Sequence, residues 1–299
     1  MPVAPHGEVN LAYEIFGPPG GRPLLLISGL AAQMTMYPPA FCLALVEAGF
    51  QVIRFDNRDV GLSTHLDDRP APSLVKAMLR PSARPYTLQD MAGDAVAVLD
   101  AAGWAKAHVL GTSLGGFIAQ LVAIDHPDRV LSLTSLSSSP ATRGALPKMS
   151  VYRTMSRIVR TPETSAEQAE DQAVEMFRLI GSPAYFDEPS VREMARLSYE
   201  RSPADPEANL RQQAASLSSK DRRAALSRLR IPALVLHGDV DPMMSRWAAR
   251  ATAAAIPGAR LVIYPGWGHD LPQQLWPSII EEIRQVTTGS PAIKDGGRP

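Results

Sequence analysis

One serine of this chain lies in a sequence context typical of a covalent nucleophile. Residues 111–115 read G-T-S-L-G, after a short apolar run and before the apolar helical segment 117–124. A serine on a sharp strand-to-helix turn exposes its Oγ from a strained backbone, and flanking glycines avoid Cβ collisions with the neighbouring strand or helix. The helix that starts at Leu114 directs free N–H groups and its positive end toward a developing oxyanion. Ser113 is therefore the candidate nucleophile.

A serine hydroxyl is a weak nucleophile, so its reaction requires a base. His269 is the only histidine in the glycine-rich segment 264–270, Y-P-G-W-G-H-D, between the last predicted strand and a helix. Loops at the carboxyl ends of strands commonly carry function, so His269 is the candidate base. The other histidines lie at the terminus, in a polar loop or at the ends of predicted elements, where we expect structural roles: His6, His65, His108, His126 and His237.

The base requires a carboxylate to orient it. The strand predicted before the last one is followed by two candidates, Asp239 and Asp241. Asp239 is nearest the strand, where it can stabilise the turn, whereas Asp241 is placed to reach Nδ1 of His269. We therefore favour Asp241. No carboxylate occurs in 129–162, and the chain order Ser113, Asp241, His269 is the order expected for this nucleophile turn.

The elements around these residues alternate strands with helices. Segment 9–16 alternates in polarity and predicts an antiparallel edge strand. Other segments predict buried strands at 24–27, 52–55, 108–110, 130–136, 233–237 and 261–264, and helices at 39–48, 87–102, 114–124 and 271–286. This alternation favours an α/β fold whose mostly parallel sheet has helices on both faces. Ligands of such sheets bind beyond the carboxyl ends of the strands, where Ser113 is placed.

Residues 140–220 are helical in composition and rich in Met and aromatic residues. A structureless loop of that length is implausible, so we expect an inserted helical cap over Ser113. The core then comprises 1–139 and 221–289, and we expect 290–299 to be a disordered tail. About half of the cap's apolar side chains should fill its own core, and the others should line an apolar pocket. The pocket candidates are Met34, Met149, Tyr152, Met176, Phe177 and Trp267, with Met36 and Tyr37 near the entrance.

The charge balance and residue composition of the chain indicate which binding partners and cofactors to expect. Thirty basic residues balance thirty acidic ones without a charged block, so we expect neither nucleic acid nor an anionic membrane as a partner. The single cysteine, Cys42, cannot form an internal disulfide. The chain has no signal-peptide pattern and no long apolar run, so we expect a cytoplasmic protein without membrane insertion. Metal-ligand and phosphate-loop spacings do not occur, so we expect neither metal nor cofactor.

The three motifs together resemble the α/β-hydrolase superfamily over about residues 8–288. Residues 55–63, F-D-N-R-D-V-G-L-S, are similar to the family's D-x-R-G-x-G-x-S turn, with Asp59 where glycine is usual. This variant and residues 111–116 look most like the aclacinomycin methylesterase and bacterial carboxylesterase branch. The resemblance implies that Arg58 holds loops together near the active site rather than binding substrate.

The loop after segment 24–27 departs from the resemblance. The family usually has His-Gly there, whereas this chain has Ser28 followed by glycine. The resemblance implies that the oxyanion donors are the backbone amides of Leu30 and Leu114, which do not depend on the missing histidine.

These features predict a cofactor-free serine carboxylesterase that acts on a small-molecule ester with a hydrophobic acyl or alcohol part. A lactonase, thioesterase, carbon–carbon bond hydrolase or cofactor-free perhydrolase could use the same three residues. An alternative from another class is a ligand receptor on a hydrolase fold. A haloalkane dehalogenase would require a carboxylate in place of Ser113. The sequence does not indicate the oligomeric state.

Overall fold

The computed structural model describes residues 1–141, 149–217 and 220–288, and the predicted tail lies outside them. Within these ranges the strands are β1 (Val3–His6), β2 (Val9–Phe16), β3 (Arg22–Ile27), β4 (Phe50–Phe55), β5 (Ala107–Thr112), β6 (Val130–Leu136), β7 (Ala233–Gly238) and β8 (Arg260–Tyr264). The α-helices are α1 (Pro39–Glu47), α2 (Leu74–Leu79), α3 (Leu88–Ala101), α4 (Leu114–Asp125), α5 (Met149–Arg160), α6 (Ala166–Ile180), α7 (Glu188–Arg201), α8 (Pro206–Leu217), α9 (Arg223–Leu226), α10 (Arg246–Ala255) and α11 (Trp276–Thr287).

The described strands form one sheet in the order β1-β2-β4-β3-β5-β6-β7-β8. In this spatial order, each successive pair among β4, β3, β5, β6, β7 and β8 is parallel, and β2 is antiparallel to both β1 and β4. The predicted α/β fold with a mostly parallel sheet is confirmed. The loops after β3, β4, β5, β7 and β8 consequently meet at one edge of the sheet.

Two sequence predictions about elements were wrong. The strand at 9–16 is not an edge strand, because β1 pairs outside it, and β1 is too short to show a polarity pattern. The last helix begins at Trp276 rather than at residue 271. Pro272 is extended and a single 3-10 turn, Gln273–Leu275, precedes the helix, so the helix does not extend back to residue 271.

Alternate side chains of the buried strands pack on opposite faces of the sheet. In β3, Leu25 and Ile27 join the core formed with α3 and α4, whereas Leu24 and Leu26 join the core formed with α1 and α11. All four are fully buried. This arrangement explains why β3 reads as a continuous apolar run, as expected of a strand covered on both faces.

Helices α5 to α8 lie between β6 and β7 in the chain, and we refer to them as the cap. The two ends of this insertion are joined by Arg222, whose N–H donates to the Pro140 carbonyl at 2.9 Å. Its guanidinium donates to the Ser139 carbonyl at 2.7 Å and to Gln120 Oε1 at 2.9 Å. The chain therefore leaves the core for the cap and returns to the core at neighbouring positions. None of the described helices combines the length and hydropathy needed to cross a membrane.

Candidate active site

Ser113 lies at the turn between β5 and α4 with φ 57° and ψ −116°. A Cβ on Gly111 would lie 2.0 Å from the Gly115 carbonyl oxygen, and a Cβ on Gly115 would lie 2.1 Å from the Ile27 oxygen. Glycine is therefore required at both positions for helix α4 to pack this closely against the sheet. The Ser113 N–H donates to the Leu136 carbonyl at 2.9 Å, which holds the turn against β6.

The structure brings together the three side chains selected from the sequence. His269 Nε2 lies 3.0 Å from Ser113 Oγ, and His269 Nδ1 lies 2.8 Å from Asp241 Oδ2. The other Asp241 oxygen accepts the N–H groups of Met243 and Met244 at 2.7 and 2.9 Å. The carboxylate thus faces the imidazole with a defined oxygen, in the geometry that nucleophile activation requires.

Burial and charge act in opposite directions on this pair. Burial lowers the pKa of His269, but the charge and hydrogen bond of Asp241, with a contribution from Asp270, leave that pKa raised above 6.5. Burial raises the pKa of Asp241, and His269 with the surrounding donors outweighs it, so that the net pKa is lowered. The carboxylate is therefore ionised at neutral pH, and the imidazole holds its proton more tightly than an unperturbed histidine does.

The two candidate oxyanion donors flank the serine. A Cβ on Gly29 would lie 3.5 Å from Ser113 Cβ, so the loop that carries Leu30 passes beside the nucleophile. In the part of the chain that the structure describes, the Leu30 N–H has no hydrogen-bond acceptor. Leu114 is the first residue of α4, where an amide has no acceptor within the helix.

The rejected candidates have structural contacts. Asp239 Oδ1 accepts the Gly266 N–H at 2.7 Å and so supports the histidine loop instead of the imidazole. Arg58 forms a two-pronged ion pair with buried Asp94 on α3, at 2.6 and 2.7 Å, which agrees with a loop-holding role. The other histidines contact structural partners or end a helix: His6 (Asp94), His65 (Gly61 O), His108 (Ser132), His237 (Met244 O) and His126 at the end of α4.

The end of α6 in the cap is hydrogen-bonded to the histidine loop. The His269 N–H donates to the Ile180 carbonyl at 2.7 Å, and the Gly268 N–H donates to Ser182 Oγ at 2.8 Å. Ser182 in turn donates from N–H and Oγ to Asp270 at 2.8 and 2.5 Å. Sequence reasoning missed Ser182, since nothing in its sequence context distinguishes it.

The burial of two predicted pocket residues shows that those predictions were wrong, and a third predicted pocket residue lies exposed on the surface. Met34 and Trp267 have no exposed surface, so neither can line a cavity that admits even a water-sized ligand. Trp267 packs edge-on against Tyr264 in the core on the α11 side of the sheet; Tyr37, expected near the entrance, is also fully buried. Met149 is 64 % exposed. Half-buried Tyr152, Met176 and Phe177 stay pocket predictions.

One group of possible metal ligands occurs among the described residues. Ligand atoms of His65, Asp67 and Asp205 lie within 4.8 Å of one another. The Arg211 guanidinium lies 3.5 Å from both carboxylates, so a cation there would meet an existing positive charge. The group is separate from the three side chains around Ser113.

Comparisons with known proteins agree with this architecture. Residues 22–272 match the family described as the alpha/beta hydrolase fold. The chain belongs to the α/β-hydrolase family. It is 33 % identical over 287 residues to the rhodomycin D methylesterase of Streptomyces peucetius, covering 89 % of this chain and 90 % of that protein. This relative confirms the resemblance to the methylesterase branch, and a member with such relatives is a hydrolase.

Solved structures with the α/β-hydrolase fold superpose on nearly the whole length of this chain. The enol-lactonase of Burkholderia xenovorans aligns with a TM-score of 0.74 at 24 % identity, over 96 % of this chain and all of that one. An esterase of Thermogutta terrifontis aligns with a TM-score of 0.70 at 25 % identity, over 95 % and 97 % of the two chains. These likenesses establish the fold.

Proposed function

We propose that this protein is a serine carboxylesterase that hydrolyses esters with a hydrophobic acyl or alcohol part through an acyl-enzyme. The observation that carries the proposal is the continuous hydrogen-bonded chain from Ser113 Oγ through His269 to Asp241, at 3.0 and 2.8 Å. The backbone of Ser113 also supports the proposal, because its positive φ at the start of a helix exposes Oγ.

In the proposed reaction, Ser113 Oγ attacks the ester carbonyl while His269 Nε2 accepts its proton. The amides of Leu30 and Leu114 stabilise the negative oxygen of the tetrahedral intermediate. His269 returns the proton to the leaving alkoxide, which departs as the alcohol and leaves Ser113 acylated. Water then attacks the acyl carbon with His269 as base. The acyl–Oγ bond breaks, His269 returns the proton to Ser113 Oγ, and the carboxylic acid is released. Asp241 stabilises the imidazolium in each half-reaction.

The methylesterase relative supports ester chemistry and makes methyl esters of hydrophobic acids the first substrates to examine. Lactone, thioester and carbon–carbon bond hydrolysis and perhydrolysis could use the same residues, so the substrate panel includes lactones and thioesters. A receptor on this fold would turn over simple p-nitrophenyl esters only slowly, whereas the proposed enzyme turns them over at ordinary rates.

We expect Ser113→Ala and His269→Ala each to lower kcat by at least about a thousandfold, because each interrupts the same covalent step. The measurement is hydrolysis of the ester panel, with folding checked by circular dichroism. His126→Ala, at the end of α4, is the matched control and should keep wild-type activity. Folded Ser113→Ala or His269→Ala protein that retains more than about a tenth of the wild-type rate would contradict the proposal.

A further inference from the structure

The loop after β3, residues 28–33, carries the Leu30 amide and is hydrogen-bonded to a residue of the cap. Ala31 has φ 57°, and its N–H donates to Oε1 of Gln212 in α8 at 2.9 Å. The Ala31 N–H belongs to the same peptide plane as the Leu30 carbonyl. Holding that plane therefore restricts Leu30 ψ and the direction of the adjacent Leu30 N–H.

Gln212 is bonded at both ends of its amide. Its Nε2 donates to the Arg58 carbonyl at 2.8 Å, so the side chain connects the loop after β3 to the loop after β4. Gln212 is fully buried. Its removal would leave the Ala31 N–H and the Arg58 carbonyl without these partners in a site where an unpaired polar group is costly.

The preceding residue of α8 anchors the helix in the same place. Arg211 donates to both oxygens of Asp59 at 3.0 and 2.8 Å, and the side chains are 2 % and 0 % exposed. Asp59 occupies the position where related chains usually have glycine, and it keeps a left-handed backbone with φ 67°. A two-pronged arginine–carboxylate pair defines orientation as well as distance, so Gln212 is presented to the loop by a positioned helix.

A second contact from the cap reaches the far end of the loop. Gln33 Nε2 donates to the Ser198 and Ser202 carbonyls at the end of α7, each at 2.8 Å. Two cap helices thus hold the loop at Ala31 and at Gln33, both of which follow Leu30 in the chain.

We infer that Gln212 is a positioning residue for the oxyanion hole, acting through the Ala31 peptide to aim the Leu30 N–H. This inference deepens the proposed function and rests on it. The strength of the hydrogen bond from the Leu30 N–H depends more on its direction when the acceptor is the tetrahedral oxyanion than when it is the ground-state ester carbonyl. Small misplacements of catalytic groups lower turnover strongly. The loss of Gln212 therefore lowers kcat and leaves KM nearly unchanged.

The test compares Gln212→Ala and the volume-conserving Gln212→Met with Gln213→Ala, the same change at the next, half-buried glutamine of α8. The substrate is p-nitrophenyl butyrate, and the second probe is an alkyl trifluoromethyl ketone, whose adduct with Ser113 places an oxyanion in the hole. We expect both Gln212 variants to lose about ten- to a hundredfold in kcat. Inhibitor affinity should weaken by a similar factor, and Gln213→Ala should match the wild type.

A merely structural role would lower thermal stability while folded protein kept its kcat and its affinity for the ketone, and that result would overturn the inference. It would also be overturned if the Gln212 variants raised KM alone. Either result, with hydrolysis that depends on Ser113, leaves the proposed function intact. A wild-type rate in Ser113→Ala would instead overturn both.

Discussion

At the scale of single residues, the protonation of His269 sets the pH range of the proposed reaction. The imidazole accepts the serine proton only when neutral, and its pKa is raised above 6.5 because Asp241 outweighs burial. Activity should consequently be lost as pH falls through that raised pKa, along a single acidic limb whose midpoint lies above 6.5. The measurement is kcat/KM for a p-nitrophenyl ester as a function of pH, which reports the free enzyme. A midpoint below 6.5 would contradict the electrostatics of the site.

The two aspartates after β7 should differ sharply when each is changed to asparagine. Asp241 accepts from Nδ1 of His269, so Asp241→Asn removes the charge partner and upsets the tautomer of the base, with an expected loss of about a thousandfold or more in kcat. Asp239 accepts the Gly266 N–H and so supports the histidine loop; Asp239→Asn should therefore act through loop stability and cost far less. Parallel kinetics of the two folded variants decide the assignment, and the reverse ranking would move the acid to Asp239.

At the scale of elements, one buried arginine joins the two ends of the cap insertion to each other and to the core. Arg222 is 4 % exposed and satisfies the Ser139 carbonyl and Gln120 Oε1. We expect Arg222→Ala to reduce the free energy of unfolding by about 2–4 kcal/mol, because two buried acceptors lose a charged donor. Chemical denaturation measures this change. Arg223→Ala is the matched control, since Arg223 is exposed and pairs with Asp221 at the surface, and a similar loss in both variants would refute the explanation.

Elements with local signals were predictable from the sequence. Thr87 and Asp90 form the capping box that begins α3, and the glycines beside Ser113 mark the turn where the structure shows close backbone approach. The relative placement of Ser113, Asp241 and His269 was also accessible, because parallel strands deliver their following loops to one edge of the sheet. Strand β1 has no comparable local signal, and its pairing with β2 became visible only in the structure.

At the scale of the whole molecule, the contacts between cap and core could not be read from the sequence. Gln212 meets Ala31 across 181 positions of the chain, and Ser182 meets Asp270 across 88. Such pairs have no periodicity or spacing that would mark them, since their proximity results from the docking of one layer on another. The same reason explains the errors at Met34 and Trp267, whose residue types suit a pocket wall and a core equally.

The docking of the cap leads to a prediction about substrate choice. The groups around Ser113 act on a carbonyl that all esters share and so discriminate little, whereas an apolar wall discriminates by about 1–3 kcal/mol per methylene gained or lost. Met176 and Phe177 are half-buried in α6, the helix whose end contacts the histidine loop. We expect Met176→Ala or Phe177→Ala to shift the preferred acyl length while p-nitrophenyl acetate turnover stays near the wild-type value.

The measurement is kcat/KM across p-nitrophenyl esters from acetate to decanoate. Met78→Ala is the matched control, because Met78 is 64 % exposed on α2, outside the cap, and its profile should follow the wild type. A uniform loss across all chain lengths would show that these side chains support folding or the triad instead of selecting substrate. An unchanged profile in both variants would place the acyl pocket elsewhere, because the loss of several side-chain atoms from an apolar wall must alter the preference between adjacent chain lengths.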